Sequence, residues 1–234
     1  MGAVFKREFK SYFSSAIGWV FLTVFFFFSG LFFVSYNISS STGDMSSLFA
    51  TLIFICIFLI PLLTMRLMSD EKRQKTDQAL LTAPIGLMDI VMGKFLAAFT
   101  IYAIGLSSTV VFAIVMSFFG TLEPWVIVGN IVGSLLMGAA FISVGIFISN
   151  LTESQIVAAV GSIAILLSLY LIQMLSSLFT NSVVTSIVNF IAISDRYSNF
   201  STGIFNVSDA LYLISFAVIF IFLTVRTLES RRWS

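Results

Sequence analysis

Histidine is absent from the 234-residue sequence. That removes His-ligated metal sites, His-based catalytic triads and the commonest biological general base. A single cysteine, Cys56, sits inside an apolar run, so no internal disulfide can form. Only 10% of the residues are charged, against about 25% in an ordinary soluble domain. No G-x-x-x-x-G-K-[S/T] loop occurs: Gly93-Lys94 has Met88 in place of the first glycine and Phe95 in place of the hydroxyl residue. The chain therefore has no such cradle for ATP phosphates. A G-x-S-x-G elbow is missing as well, which leaves a membrane-embedded hydrolase without its usual machinery.

Apolar side chains make up 59% of the sequence, 27 residues are phenylalanine and the mean hydropathy is +1.07. A soluble fold of this size has too little interior to hide so much apolar surface. A disordered chain is excluded by the same numbers. The composition points to an integral membrane protein.

A bilayer-crossing helix needs about 20 mostly apolar residues. Six runs qualify: 16–36, which contains Phe25-Phe26-Phe27-Phe28, then 46–65, 95–119, 124–149, 155–178 and 207–225. They are continuously apolar, whereas barrel strands alternate apolar and polar residues over about ten positions. The fold expected is all-α, with six spans in a single domain covering 1–234. The stretch 183–194 is too short to cross, and 179–206 reads as a re-entrant outer segment before the last span.

Lysine and arginine set the orientation. Lys6, Arg7 and Lys10 precede the first span. Arg66, Lys72, Arg73, Lys75 and Lys94 lie in or beside the segment between spans two and three. Arg226, Arg231 and Arg232 belong to the end of the last, which leaves Arg196 alone on the other side. Both termini are expected in the cytoplasm, in a multi-pass protein of the cell membrane. The span interiors carry no Asp, Glu, Lys or Arg away from their ends. Carboxylate-driven proton or sodium transport has no foothold there.

Three segments could carry function. In 4–14, Phe5, Phe9, Tyr12 and Phe13 share one helical face, with Lys6, Arg7 and Lys10 away from it; this reads as an interfacial amphipathic helix. A plain membrane anchor would show the same pattern. In 69–83, Ser69 is a natural N-cap, Asp70 and Glu71 would occupy the first turn, and Glu71 and Lys75 stand at i, i+4. Seven charged residues fall between Arg66 and Pro84, yet the segment ends in the apolar pair Leu80-Leu81. A lone solvated helix has no reason to expose that pair, so it suggests docking to a partner protein. In the fourth span, Gly129, Gly133, Gly138 and Gly145-x-x-x-Ser149 let helices approach closely, either within one bundle or across a dimer.

The run from Glu71 to Pro84, closing in Leu80-Leu81-Thr82-Ala83-Pro84, resembles the cytoplasmic signature of type-2 ABC exporter permeases, and the gliding-motility-type branch most nearly. The start, from Lys6 to Ser15, resembles that family's N-terminal elbow helix. Two positions depart from the pattern: Lys75 stands where glycine is usual, and Gln78 where an acidic residue is usual. The resemblance implies a permease that is half of a transmembrane pair. It implies a separate ABC ATPase subunit, in two copies, that carries ATP and Mg, and a second permease chain, identical or related. Membrane lipid surrounds the whole, and no nucleic acid is involved. It places ATPase docking on Ser69, Asp70, Glu71, Lys72, Arg73, Thr76, Leu80, Leu81 and Pro84 in the coupling helix 69–83, with the elbow beside them. The chain itself would be no enzyme and would bind no cofactor. A hydrophobic or amphipathic substrate suits the aromatic spans. An ion channel or a non-transporting scaffold is the alternative, and it requires no ATPase partner.

Overall fold

The structure, a computed structural model, describes residues 1–39, 43–75, 86–118, 123–176 and 192–232. Among these residues every regular element is helical, as the long charge-free runs dictate: in lipid a helix is the local way to satisfy each backbone N–H and C=O. In chain order they are α1 (Gly2–Ser14), α2 (Ala16–Phe33, continued by a π turn at Val34–Ile38), α3 (Ser46–Thr64), α4 (Arg66–Arg73), α5 (Leu87–Ser117), α6 (Pro124–Leu151), α7 (Gln155–Ser176), α8 (Ile193–Ser201) and α9 (Val207–Arg232). Six helices are long and apolar enough to cross a membrane, namely α2, α3 with α4, α5, α6, α7 and α9. The chain is an all-α integral membrane protein.

α6 is the axis of the bundle, because its small residues let other elements lie against its backbone. A Cβ on Gly145 would fall 2.1 Å from Thr64 Oγ1 of α3, and one on Gly138 would fall 2.1 Å from the Tyr102 ring of α5. On Gly133 and Gly129 it would meet Phe200 of α8, at 2.8 Å from the side chain and 2.4 Å from the backbone oxygen. The glycine spacing therefore serves packing within one bundle. Polar bonds fix the same contacts. Tyr102 donates to the Ser134 carbonyl (2.8 Å). Tyr197 donates to Asn130 Oδ1 (2.6 Å), an interhelical bond between α8 and α6.

Several boundaries differ from the sequence expectation. α5 begins at Leu87, two turns before position 95, and so takes Lys94 into its body. α3 runs on almost unbroken into α4, so the second span reaches Arg73 and not 65. Pro61 has no N–H to donate one turn before the break at Met65, which loosens the helix there. Of the segment 179–206, residues 192–206 are described. They hold α8 and a turn at Gly203, whose φ of +76° suits glycine alone. The last span is capped by Asn206, whose Oδ1 accepts from the Ser208 N–H (3.0 Å).

The spans leave two ends. One carries α1, α4, the start of α5 and the C-terminal part of α9. The opposite end carries α8, the residues around Asp44 and the starts of α6 and α9.

Candidate functional site

The site is built on α4, a two-turn helix joined to elements on both of its sides. Adjacent residues on a helix point about 100° apart, so Asp70 and Glu71 face different neighbours.

Glu71 reaches α1 and α5. Its Oε1 accepts from Arg7 at 2.5 Å and its Oε2 lies 2.9 Å from Lys94 Nζ. Glu8 completes the group, at 2.6 Å from Arg7 and 3.4 Å from Lys94. The Lys94 ammonium also donates to the Leu67 carbonyl. Lys94 is 1% exposed, and an ammonium that deep is stable only with such partners. Burial alone would lower the Arg7 pKa, but hydrogen bonds and the charges of Glu8 and Glu71 outweigh it and hold the guanidinium above its ordinary value. Two cations and two carboxylates thus close into a neutral cluster joining α1, α4 and α5.

Asp70 and Lys72 reach the other way, to the junction of α6 and α7. Asp70 accepts from Gln155 Nε2. Lys72 donates to the Leu151 carbonyl at 3.5 Å and stands 4.0 Å from Glu153. Ser149 of α6 supplies the closest link. Its buried hydroxyl donates to the Met65 carbonyl (2.8 Å) and accepts from the N–H groups of Met68 and Ser69 (3.2 Å each). One side chain of α6 is therefore inserted into the hydrogen-bond ladder at the α3–α4 break.

The observed geometry corrects four expectations. Ser69 is not an N-cap: it is buried inside α4, and its hydroxyl bonds back to the Met65 carbonyl, because the helix arrives from α3 already formed. Asp70 and Glu71 accordingly do not occupy a first turn, where the helix dipole would hold them, and the helix does not run unbroken over 69–83. It ends at Arg73, with Lys75 at φ +55°. That left-handed conformation costs a non-glycine residue about 1–2 kcal/mol, and it is the position where the resembled family has glycine. With Lys75 beyond the helix end, Glu71 pairs with Arg7 and Lys94 in place of the i, i+4 partner. Arg73 is exposed at the tip. Thr76, Leu80, Leu81 and Pro84 lie outside the described residues.

The elbow residues divide by depth. Phe5, Phe9 and Phe13 form a ladder along one flank of α1, with centroids 5.8 and 5.2 Å apart, and Phe13 meets Trp19 edge-on. Tyr12, at the inner edge of that face, is buried and donates to the Leu63 carbonyl (2.9 Å). Burial raises its phenol pKa, so it stays a neutral donor. Arg66 crosses back to α1, bonding Ser11 Oγ (2.6 Å) and lying over the Tyr12 ring.

Glu8, Lys94, Ser149 and Gln155 were not legible as site residues. For the last three, chain separations from their α4 partners run from 23 residues for Lys94–Glu71 to 85 for Gln155–Asp70. The one signal was Lys94 at the edge of an apolar run. Gly93-Lys94 is a packed helix interior: a Cβ on Gly93 would lie 2.9 Å from Val4, and the lysine is spent on the ion cluster.

The opposite end has its own buried ion pair. Asp209 is 1% exposed, accepts from Arg196 (3.0 Å) and Asn199 (2.6 Å), and so ties α8 to the start of α9. Arg196 also lies over the Tyr212 ring. Beneath α8 is a cavity of about 230 Å³ edged by Ile53, Met137, Tyr170 and Tyr197.

Among the described residues the arrangement shows no nucleophile–base pair. It offers a short helix whose displacement must be felt in α1 and α5 on one side and in α6 and α7 on the other. No curated protein matches the chain. A family model described as "ABC-2 family transporter protein" matches residues 2–228.

Proposed function

Since this chain belongs to the ABC-2 family of transporter proteins, we propose that it is the membrane-spanning permease subunit of an ATP-binding-cassette exporter, driven by a separate ATPase that docks on α4 and the residues following it. The observation that carries this reading is the two-sided hold on α4, through Glu71 to α1 and α5 and through Asp70, Lys72 and Ser149 to α6 and α7. A helix held on both sides passes a push into the whole bundle, whereas a mere connector would be fastened only at its ends.

In this reading the end bearing α1 and α4 is cytoplasmic, by the Lys/Arg asymmetry, in a multi-pass protein of the cell membrane. Two ATPase subunits supply ATP and Mg, and a second permease chain, identical or related, completes the pathway. Closure of the ATPase pair moves α4 as a rigid body and tilts the spans between inward and outward access. The cluster of Arg7, Glu8, Glu71 and Lys94 makes the elbow move with α4. The segment 179–206 is read as dipping into the outer face and shaping the exit, and its described part, α8, is tied to the start of α9 through Asp209. A hydrophobic or amphipathic substrate fits the aromatic lining, and the Glu71–Pro84 run favours the gliding-motility-type branch. Buried charges of the described spans support this over an ion channel. Lys94 lies two turns into α5 and Asp209 in the first turn of α9, and both are paired.

The test is co-purification. An ATP-hydrolysing subunit is expected to accompany the wild-type chain from membranes, and Leu80→Asp with Leu81→Asp to release it while the protein stays folded in the membrane. If no ATPase accompanies the wild type, or if the double variant keeps it, the channel or scaffold reading replaces this one.

A further inference from the structure

Resting on the permease reading above, we propose that the surface this chain offers to its ATPase is net positive and takes an acidic groove on that partner. Among the described residues of this end, the carboxylates are engaged within the chain. Glu8 and Glu71 hold Arg7 and Lys94, Asp70 takes Gln155, and Asp89 lies 3.6 Å from the N-terminal amine. Glu153 faces Lys72 and Glu229 faces Arg226. Lys6, Lys10, Arg73 and Lys75 are all exposed, and none makes an ion pair with a described carboxylate. The side chains of Asp89, Glu153 and Glu229 are exposed but each faces a cation of its own, so in an almost neutral chain, at +1, the charge left over at this end is positive.

These four cations are brought together by the fold. Lys6 adjoins Arg7, Lys10 follows it by one turn, and Arg73 and Lys75 follow Glu71 within four residues. The 2.5 Å Arg7–Glu71 bridge sets the two runs side by side. Lys75 keeps its charge at a left-handed position that favours glycine. Strain of that kind gathers where a residue is needed for function. Lys6 and Lys10 stand beside the aromatic flank of α1, where an anionic lipid headgroup is a competing occupant. Arg73 ends α4 and Lys75 stands just beyond it, leading into the docking segment itself. This pair therefore decides between a protein and a lipid.

The experiment uses the full chain in nanodiscs and its ATPase, identified by hydrolysis in the complex, purified alone and titrated back. Electrostatic complementarity acts mainly on association and is screened by salt. The wild-type association rate should fall at least about tenfold when sodium chloride is raised from low to near-molar concentration. Arg73→Glu with Lys75→Glu should cost at least about tenfold in affinity at low salt, and Arg73→Gln with Lys75→Gln an intermediate amount. The melting temperature, read in parallel, should stay at the wild-type value, and the Gln pair remains interpretable if the Glu pair misfolds. Unchanged affinity in both Arg73/Lys75 variants overturns the proposal and leaves the permease reading standing. The lipid occupant takes its place if Lys6→Glu with Lys10→Glu abolishes stabilisation by phosphatidylglycerol over phosphatidylcholine while ATPase affinity is untouched in every variant. If the purified ATPase fails to bind the wild-type chain at any salt, the docking reading itself falls, and this inference with it.

Discussion

Glu71 is the residue on which the architecture of the α1–α4 end turns. Its two oxygens divide between Arg7 and Lys94, and without them the Lys94 ammonium keeps only Glu8, at 3.4 Å, and a backbone carbonyl. Breaking a buried pair from one side leaves an uncompensated charge, at about 3–5 kcal/mol. Glu71→Ala should therefore cost about 3 kcal/mol, read as a lowered melting temperature in detergent. Adding Lys94→Met should recover part of the loss, because the stranded cation goes too. Glu229→Ala, which breaks an exposed pair with Arg226, should leave the melting temperature unchanged. The sequence names Glu71 as part of the site but assigns it the wrong partner. Local spacing offered Lys75, and only tertiary structure could offer a lysine 23 positions along the chain. Lys94 itself looked like an edge residue because the apolar run starts after it, while the helix starts at Leu87.

At the scale of elements, α6 shows where sequence reading stops. The small-residue spacing correctly signals close helix approach, but not which neighbour each glycine meets. Gly138→Ala would drive a methyl into the Tyr102 ring and Gly145→Ala into Thr64, and overpacking of this kind costs about 1–3 kcal/mol. Both should lower the melting temperature and speed backbone hydrogen exchange in α6. Gly30→Ala in α2 is the control: nothing lies within 4 Å of the added methyl, and helix propensity favours alanine, so stability should hold or rise. α4 is the complementary case. Its existence was legible from the charge and its bounds were not. Ser69 has the chemistry of a cap, but a cap is needed only where a helix starts, and here the helix continues from α3. The break falls at Met65, where Pro61 and the Ser149 hydroxyl act together, and that hydroxyl comes from 84 residues away.

For the whole molecule, the topology was the most legible feature, because the bilayer forces long apolar helices and charge asymmetry orders their ends. It can be checked with the protein's own simplicity. Cys56 is the sole cysteine and is buried in α3, so an introduced cysteine reports alone. Lys6→Cys and Thr202→Cys occupy exposed positions at opposite ends of the bundle. In sealed vesicles a membrane-impermeant maleimide should label one from the cytoplasmic side and the other from the outer side. Labelling of both from the same side would overturn the six-span arrangement. The stretch before the last span was less legible, since Arg196 and Asp209 identify themselves as partners only once α8 is brought to the start of α9.

Because Asp70 and Glu71 are consecutive, the direction of each arm depends on the residue count from Met65 onward. One added or deleted residue in that stretch would rotate both carboxylates by about 100°. Asp70 would turn from Gln155, and Glu71 from Arg7 and Lys94, while composition and hydropathy stayed almost the same. Point substitutions in α4 can be graded in their effect, but a single-residue insertion disconnects both sides at once. The helix behaves as a keyed joint: its length, and not only its chemistry, is under constraint.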